Sequence, residues 1–361
     1  MVNSHYVPQL ILKKFSDRLS IYNIRTGEFA ESVNVDKAYS QKGFYDEKTE
    51  KNLNFKIESQ FGNLLANKLL RVGNIIELNR AELRLIKKFL LISTLRGRGN
   101  EAFLQKEKRF YENSIEKWRD FCITNGISAE KCKQGIKNMQ PPFEEKQIRG
   151  ETPYDYWMRT LNVILDTDGS PEEISNHPDK TYPAHRWAQI IAAGYLSFWD
   201  SEFIHDEFVI TDIGMTSENE RGWNGIDVFN NKKSSWLTSL LENEKETRYA
   251  DILQSQIYLQ EFFNENFEMY PISAKRMIVE ISPFYKFRQM YAWRYEMPEL
   301  DELTELVNED LFASNSVRYE KPQTSTLIPR YSPHDIYIYE VKKLTSEETR
   351  YCNELFLDRI N

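Results

Sequence analysis

Four polar side chains lie at positions that the sequence pattern marks as inward, and their types suit acid and base chemistry beside an anion: His5, Glu58, Arg96 and Asp212. A histidine exchanges a proton near neutral pH, and a carboxylate can orient it or act as a base. A guanidinium can hold a phosphate through two parallel hydrogen bonds while charge develops. The set therefore predicts phosphodiester cleavage. The predicted roles are general acid or base for His5, its partner for Glu58, phosphate clamp for Arg96 and auxiliary carboxylate for Asp212.

Two helices must bring the acid and the guanidinium together. Apolar residues recur with a helical period over 52–69 and again over 83–96. Glu58 borders the apolar face of the first helix, and Arg96 lies seven residues after Phe89 on that of the second. The more common role of such a pair is structural, because a buried carboxylate and guanidinium neutralise each other and fix helix packing. The sequence leaves both interpretations open.

The beginning of the chain carries the third group. His5-Tyr6-Val7-Pro8 is followed by Leu12 and Phe15, so a stiff proline and several apolar side chains stand close together. Terminal residues fray unless something anchors them. The pattern therefore predicts a docked N-terminal segment that carries His5 into the body of the protein.

The other candidates have simpler explanations. Asp212 follows a β-prone run at 207–211, where carboxylates often project into a cleft, but an aspartate that caps its own turn fits equally. Gly97-Arg98-Gly99 suits either an anion site or a plain helix C-cap. The acidic run over 200–207 offers metal-binding oxygens, although a solvated loop explains it more simply.

The amino-acid composition limits the classes of protein to which this chain can belong. The 361 residues include 20 Tyr and 21 Phe, which predicts a folded chain with an aromatic core. The net charge of -8 argues against broad adhesion to nucleic acid, so a nucleic acid or nucleotide would bind only at a local site.

Three cysteines without a CxxC pair and the lack of a long apolar run predict a cytoplasmic protein that does not enter membranes. Nucleotide loops and zinc motifs are missing, so no cofactor is predicted, and no local cluster supports a divalent metal ion.

The order of elements predicts an α+β, predominantly helical fold, with a helical core, an N-terminal β-hairpin over 19–24 and 29–35, and a small mixed sheet from the C-terminal half. Further helices are predicted over 101–124, 128–139, 154–165, 184–199, 234–267 and 346–358, and strands over 207–211, 275–282 and 335–341. Pro141-Pro142 marks a soft boundary between a part at 1–140 and a mixed part at 141–361. We expect the two parts to pack as one intertwined unit.

These residues also carry a family resemblance. The chain resembles the uncharacterised bacterial family "domain of unknown function 4238" in the His5-Tyr6-Val7-Pro8 motif, in Glu58 and Arg96, and in Thr211-Asp212, over its full length. The family pattern around the aspartate reads Thr-Ser-Asp-Asn-Pro, whereas this chain has Ile210-Thr211-Asp212-Ile213-Gly214, which weakens a catalytic role there. The resemblance implies a cytoplasmic, mostly helical protein with a β-containing part, and it brings no established activity.

Two functions from different classes follow. The first is a hydrolase of a phosphodiester or nucleotide, a nuclease-type effector in bacterial defence, including phage defence, or in toxicity. The second is a non-enzymatic sensor or assembly module, in which His5, Glu58 and Arg96 lock the N-terminal segment and aromatic surfaces bind a protein partner. An open pocket lined by these three side chains favours the enzyme, whereas complete mutual pairing favours the module. The sequence does not predict the oligomeric state.

Overall fold

The computed structural model describes residues 3–24, 26–96, 115–116, 118–120, 122–124, 126–138, 150–167, 195–212, 214, 216–219, 266–281, 318–320 and 336–358. The predictions that fall outside this part are most of the helices over 101–124, 184–199 and 234–267, the Gly97-Arg98-Gly99 turn and the boundary near residue 140. The division into two parts therefore stays a prediction.

The N-terminal segment is docked by both backbone and side chains. β1 (Asn3–His5) pairs antiparallel with β4 (Ser40–Lys42). The short helix α1 (Gln9–Leu12) follows, and Val7 and Leu12 are buried in a small apolar cluster. Strand pairing thus fixes the backbone of the first residues.

A two-stranded hairpin comes next. β2 (Arg18–Asn23) and β3 (Glu28–Asn34) pair antiparallel, which confirms the predicted hairpin. Leu19 packs on the N-terminal segment, while Tyr22 and Phe29 face each other on the exposed side.

Two long helices form the helical layer. The first is built from four consecutive segments, which are α2 (Glu47–Leu53), a π-helical turn (Asn54–Glu58), α3 (Ser59–Leu64) and a second π-helical turn (Leu65–Leu69). The second is α4 (Arg80–Arg96). Phe61 and Phe89 stack between them with ring centroids 3.7 Å apart. Both helices match the predicted periodicity, and their apolar faces pack together as expected.

Two shorter helices follow in the described part of the chain. α5 (Ala129–Asn138) packs under Trp118. α6 (Pro153–Asp166) begins at a capping box between Thr152 and Asp155. The indole of Trp157 in α6 donates a hydrogen bond to the Leu95 carbonyl at 2.9 Å, so α6 lies against the last turn of α4.

The larger sheets join distant parts of the chain. Their strands are β5 (Ile75–Asn79), β6 (Tyr195–Ser201), β7 (Thr216–Asn219), β8 (Asn266–Pro271), β9 (Arg276–Ile281), β10 (Arg318–Glu320), β11 (Ile336–Glu340) and β12 (Lys342–Leu344). One sheet has the order β10-β11-β5, and the other has the order β12-β6-β9-β8-β7. All neighbours are antiparallel except β12 and β6.

The five-stranded sheet is covered on both faces. One face carries Leu196, Phe198, Tyr270 and Ile278 into the core that the long helices share. The other face packs on α7 (Ser346–Asp358), through side chains that include Trp199, Met277 and Phe356. No helix in the described part of the chain has both the length and the apolar composition that a membrane span requires.

The prediction of a predominantly helical protein is wrong. The described residues form a mixed α+β arrangement with four sheets, and the largest of them has five strands. Strands buried on both faces read as nearly continuous apolar runs, and such runs resemble buried helices in a sequence. The sheet content was therefore underestimated.

Three local predictions are also wrong. The helix predicted over 234–267 ends in residues that belong to strand β8, which starts at Asn266. The end of the helix predicted over 184–199 is strand β6, whose side chains alternate between the two covered faces of the sheet. Residues 207–211 form no strand ladder. They make single hydrogen bonds instead, from the Phe208 amide to the Ala274 carbonyl at 2.8 Å and from the Val209 amide to the Asn353 side chain at 2.9 Å.

Candidate functional site

Arg96, in the last turn of α4, is the centre of the predicted polar cluster. Its side chain is only 2% exposed. Nε donates to the Tyr45 hydroxyl at 3.1 Å, Nη1 pairs with the Glu58 carboxylate, and Nη2 donates to the carbonyl oxygen of His5 at 2.5 Å. All three guanidinium nitrogens therefore have protein acceptors.

The acceptors come from three separate elements. Glu58 ends the first π-helical turn, Tyr45 follows β4, and His5 ends β1. The π-helical turn that Glu58 ends packs against α4. A guanidinium at a helix C-terminus also interacts favourably with the helix dipole.

The electrostatics of the cluster hold Arg96 charged. Burial alone would lower the pKa of Arg96, but the neighbouring Tyr45 and Glu58 raise it above its usual value. Burial raises the pKa of the Tyr45 hydroxyl, so this group stays protonated. The pair is a buried ion pair completed by a neutral hydroxyl and a backbone carbonyl, which is the arrangement that satisfies a buried charge.

Sequence reasoning missed a second carboxylate in this cluster. Glu50 lies on α2, and burial raises its pKa, while the charge of Arg96 opposes that rise. Glu50 is seven residues before the buried Ile57. Helical periodicity could therefore have placed it on the same inward face.

The imidazole of His5 points to other partners. The Asp36 carbonyl accepts a hydrogen bond from His5 Nε2 at 3.2 Å, and the Gln9 amide nitrogen lies 3.0 Å from the same nitrogen. Burial lowers the pKa of His5, although backbone hydrogen bonds from Asp36 and Val35 counteract this effect. The half-buried ring is therefore neutral at pH 7, and it is the backbone of His5 that meets Arg96.

Asp212 lies beside the same N-terminal segment, next to Tyr6 of the opening motif and to Tyr39, which the sequence did not single out. Burial and the charge of Asp212 raise the pKa of Tyr6, and they raise that of Tyr39 to about 12. The Tyr6 and Tyr39 rings are 6.0 Å apart, and the Tyr39 hydroxyl donates to the Ile210 carbonyl at 3.4 Å. The Asp212 turn and the start of the chain thus form one half-buried polar face.

The four predicted site residues are therefore only partly assembled. Glu58 and Arg96 form a direct pair, His5 joins them through its backbone, and Asp212 sits with Tyr6 and Tyr39. The catalytic roles assigned to the four residues stay predictions.

Asp200, the first residue of the acidic run over 200–207, has a structural role in the packing of the sheet. Asp200 is buried on β6 and binds Arg276 through both carboxylate oxygens, at 2.5 and 2.7 Å. Lys343 donates to the same carboxylate at 2.6 Å. Asp200 is thus neutralised by two cations and is not part of a solvated loop.

No group of three or more His, Cys, Asp and Glu side chains that could hold a metal ion occurs within the described residues. Binding of a nucleic acid or nucleotide at a local site stays a prediction. The chain as a whole matches the family model described as "Protein of unknown function (DUF4238)" over residues 3–359. No curated protein and no solved structure matches it.

Proposed function

The chain belongs to the family of proteins of unknown function DUF4238, and we propose that within it the chain is a non-enzymatic sensor or assembly module. In this proposal the cluster of Arg96, Glu58 and Tyr45 is structural. It holds the N-terminal segment in place, and the face beside Asp212 contacts a protein partner.

One observation carries the proposal, namely that each guanidinium nitrogen of Arg96 binds an acceptor of the protein in a buried position. A phosphate clamp needs guanidinium N–H groups that can reach a ligand. Each nitrogen of Arg96 already has a protein acceptor, and the side chain is almost completely buried. Freeing the guanidinium for a substrate would break the ion pair with Glu58 and the bond to the His5 backbone at once. Such a rupture leaves buried charges uncompensated, which is strongly unfavourable.

The half-buried face beside the lock suits contact with a protein. Tyr6 and Tyr39 combine a large apolar ring with a hydroxyl, and such side chains are enriched at protein interfaces. The carboxylate of Asp212 supplies a charge in the same place. The order of this face depends on the lock, because Tyr6 follows directly after the residue whose carbonyl Arg96 binds.

A second candidate function is supported by the half-buried, neutral imidazole of His5, which directly precedes Tyr6 in the chain. Such an imidazole could act as an acid or base in hydrolysis of a phosphodiester or nucleotide. This function, in defence or toxicity, would use His5 and Asp212, with Arg96 as a structural residue.

A hydrolysis assay distinguishes the two functions. Single-stranded RNA, double-stranded DNA, ATP and bis(p-nitrophenyl) phosphate would be incubated with the wild type, with and without Mg²⁺ or Mn²⁺, and with the His5→Ala and Asp212→Asn variants. The module proposal predicts that the wild type gives no turnover beyond that of the two variants. Turnover that disappears in a folded His5→Ala variant would establish the hydrolase and overturn the module.

A further inference from the structure

A second buried polar cluster lies between α4 and the five-stranded sheet. Glu268 on β8 and Glu280 on β9 are directly paired residues of adjacent antiparallel strands. They are only 8% and 2% exposed, respectively. Directly opposed residues have Cβ atoms about 5 Å apart, and like charges at such positions repel each other. Two carboxylates are thus forced together inside the protein.

The hydrogen-bond donors around the two carboxylates lie close to Glu268 and not to Glu280 Oε1. Glu268 accepts a hydrogen bond from the Tyr270 hydroxyl, and the Thr94 hydroxyl of α4 lies 2.7 Å from the Tyr270 oxygen and 3.4 Å from the Glu268 carboxylate. Glu280 has a buried oxygen, Oε1, that makes no hydrogen bond within the described residues. Glu268 therefore has a hydroxyl donor for its charge, whereas this oxygen of Glu280 has none in the part of the chain that the structure describes. A buried carboxyl without partners favours its protonated form.

The elements packed around Glu280 present few charges. Its neighbour on β8 is Glu268, its neighbour on β6 is the apolar Leu196, and from α4 the nearby charged group is Lys87. Burial and the charge of Glu268 raise the pKa of Glu280 well above its usual value, against the effect of Lys87. Burial lowers the pKa of Lys87 to about 8, although Glu280 opposes this.

We propose that Glu268 and Glu280 form a proton-binding site that controls how firmly α4 packs on the five-stranded sheet. When Glu280 carries the proton, one negative charge remains, and Tyr270 and Thr94 solvate it. When the proton leaves, two anions face each other across β8 and β9. The repulsion loosens the contact with α4, which supplies Thr94. The exposure of the two carboxylates is too small for a substrate, whereas a proton can reach them.

The site is coupled to the N-terminal lock through α4. Thr94 and Arg96 lie in the same last turn of this helix. A looser last turn also weakens the grip of Arg96 on the backbone of His5. This inference concerns a regulatory device in the fold and does not depend on whether the chain is a module or a hydrolase.

The sign of the pH dependence follows from proton linkage. A carboxyl whose pKa is raised in the folded state binds a proton that the unfolded chain has lost, so stability falls as the pH rises above the unfolded value of 4.5. The lowered pKa of Lys87 makes stability rise with pH, but only between about pH 8 and pH 10.5. The window from pH 5 to 7.5 therefore isolates the carboxylates from Lys87.

The test compares urea unfolding of the wild type and Glu280→Gln from pH 5 to 7.5. The ratio of their folding equilibrium constants, wild type over variant, should fall about tenfold per pH unit until the folded pKa of Glu280 is passed. Taking the ratio removes the contribution of other groups, including His5. The exposed Glu31→Gln variant is the matched control, and its ratio should stay constant. A constant ratio for Glu280→Gln would overturn the proposal.

A second variant and a local probe keep the test decisive if Glu280→Gln does not fold. Glu268→Gln removes the opposing charge, so the decline in stability should end at a lower pH than in the wild type, and an unchanged end point would count against the site. Amide exchange over residues 90–96 would be compared at each pH from 5.5 to 9.5. The wild type and whichever glutamine variant folds should exchange equally at pH 5.5, and the wild type should exchange faster once its decline in stability has ended. Equal rates over the whole range would refute the coupling to α4.

Discussion

Arg96 binds the backbone carbonyl of His5 and not its imidazole. A bond to a backbone atom does not depend on the identity of the side chain. The lock on the N-terminal segment should therefore survive substitution of His5 and should fail when Arg96 is changed. A catalytic role for the imidazole implies a different dependence, since activity would be lost with the side chain of His5 alone.

Replacement of Arg96 tests the energetic weight of the lock. We expect Arg96→Met to lower the free energy of unfolding by about 3–5 kcal/mol, because it leaves Glu58 without its buried counter-charge. Urea unfolding at pH 7 measures the difference. The control is Arg350→Met, which removes an arginine from an exposed pair with Glu354 and should change stability by less than about 0.5 kcal/mol.

A double variant separates the pair from the individual side chains. Arg96→Met with Glu58→Leu removes both charges, so its cost should be clearly smaller than the sum of the two single costs. Additive costs would mean that the two groups do not stabilise each other.

His5 should make the docked segment sensitive to acid. Its pKa is lowered in the folded protein, mainly by burial, so the unfolded chain binds the proton more readily. The stabilisation is complete above the usual value of 6.5 and is lost as the pH falls through the folded pKa. The difference in thermal stability between the wild type and His5→Gln, in which the contribution of Glu280 cancels, should shrink as the pH falls from 7.5 to 5. A difference that stays constant would show that the imidazole does not titrate with folding.

Arg276 is predicted to be a structural clamp of similar weight. Besides Asp200, it donates to the Leu69 carbonyl at 2.5 Å, so it ties the end of the first long helix to the sheet. We expect Arg276→Met to cost about 3–5 kcal/mol in urea unfolding. Lys343→Met, which removes the more exposed cation from the same carboxylate, should cost far less. Equal costs would contradict the clamp.

Two glycines in helices should respond oppositely to alanine. A Cβ at Gly135 would stand 2.7 Å from the Trp118 indole nitrogen, so Gly135→Ala should destabilise the protein by about 1–3 kcal/mol. A Cβ at Gly62 would meet no atom within 4 Å, and Gly62→Ala should stabilise α3 by about 0.4–1 kcal/mol. Differential scanning calorimetry gives both signs. Stabilisation by Gly135→Ala would mean that Trp118 can move aside at little cost.

The proximity of Glu58 and Arg96 could be predicted from the sequence because helical periodicity is a local property. Both side chains border apolar faces, and burial obliges opposite charges to find each other. The contact of Arg96 with the His5 carbonyl could not be predicted. It depends on the pairing of β1 with β4, which lie more than thirty residues apart, and nothing local specifies that register.

The errors in fold have a similar cause. β6 is buried on both faces, so Leu196, Phe198 and Trp199 lack the alternation that reveals a half-exposed strand. The position of Tyr6 and Tyr39 beside Asp212 could not be predicted, because it arises only when residues 207–212 pack on the start of the chain. The hairpin at β2 and β3 was found because its turn and its strands are contiguous in sequence.

Protection of the Tyr6 amide from hydrogen exchange tests the central claim most directly. This amide donates to the Tyr39 carbonyl at 3.0 Å, next to the carbonyl that Arg96 binds. It would be measured in the wild type, in His5→Ala and in Arg96→Lys, whose single ammonium cannot reproduce three diverging hydrogen bonds. Protection should persist in His5→Ala and be lost in Arg96→Lys. Loss of protection in His5→Ala with full protection in Arg96→Lys would contradict the lock.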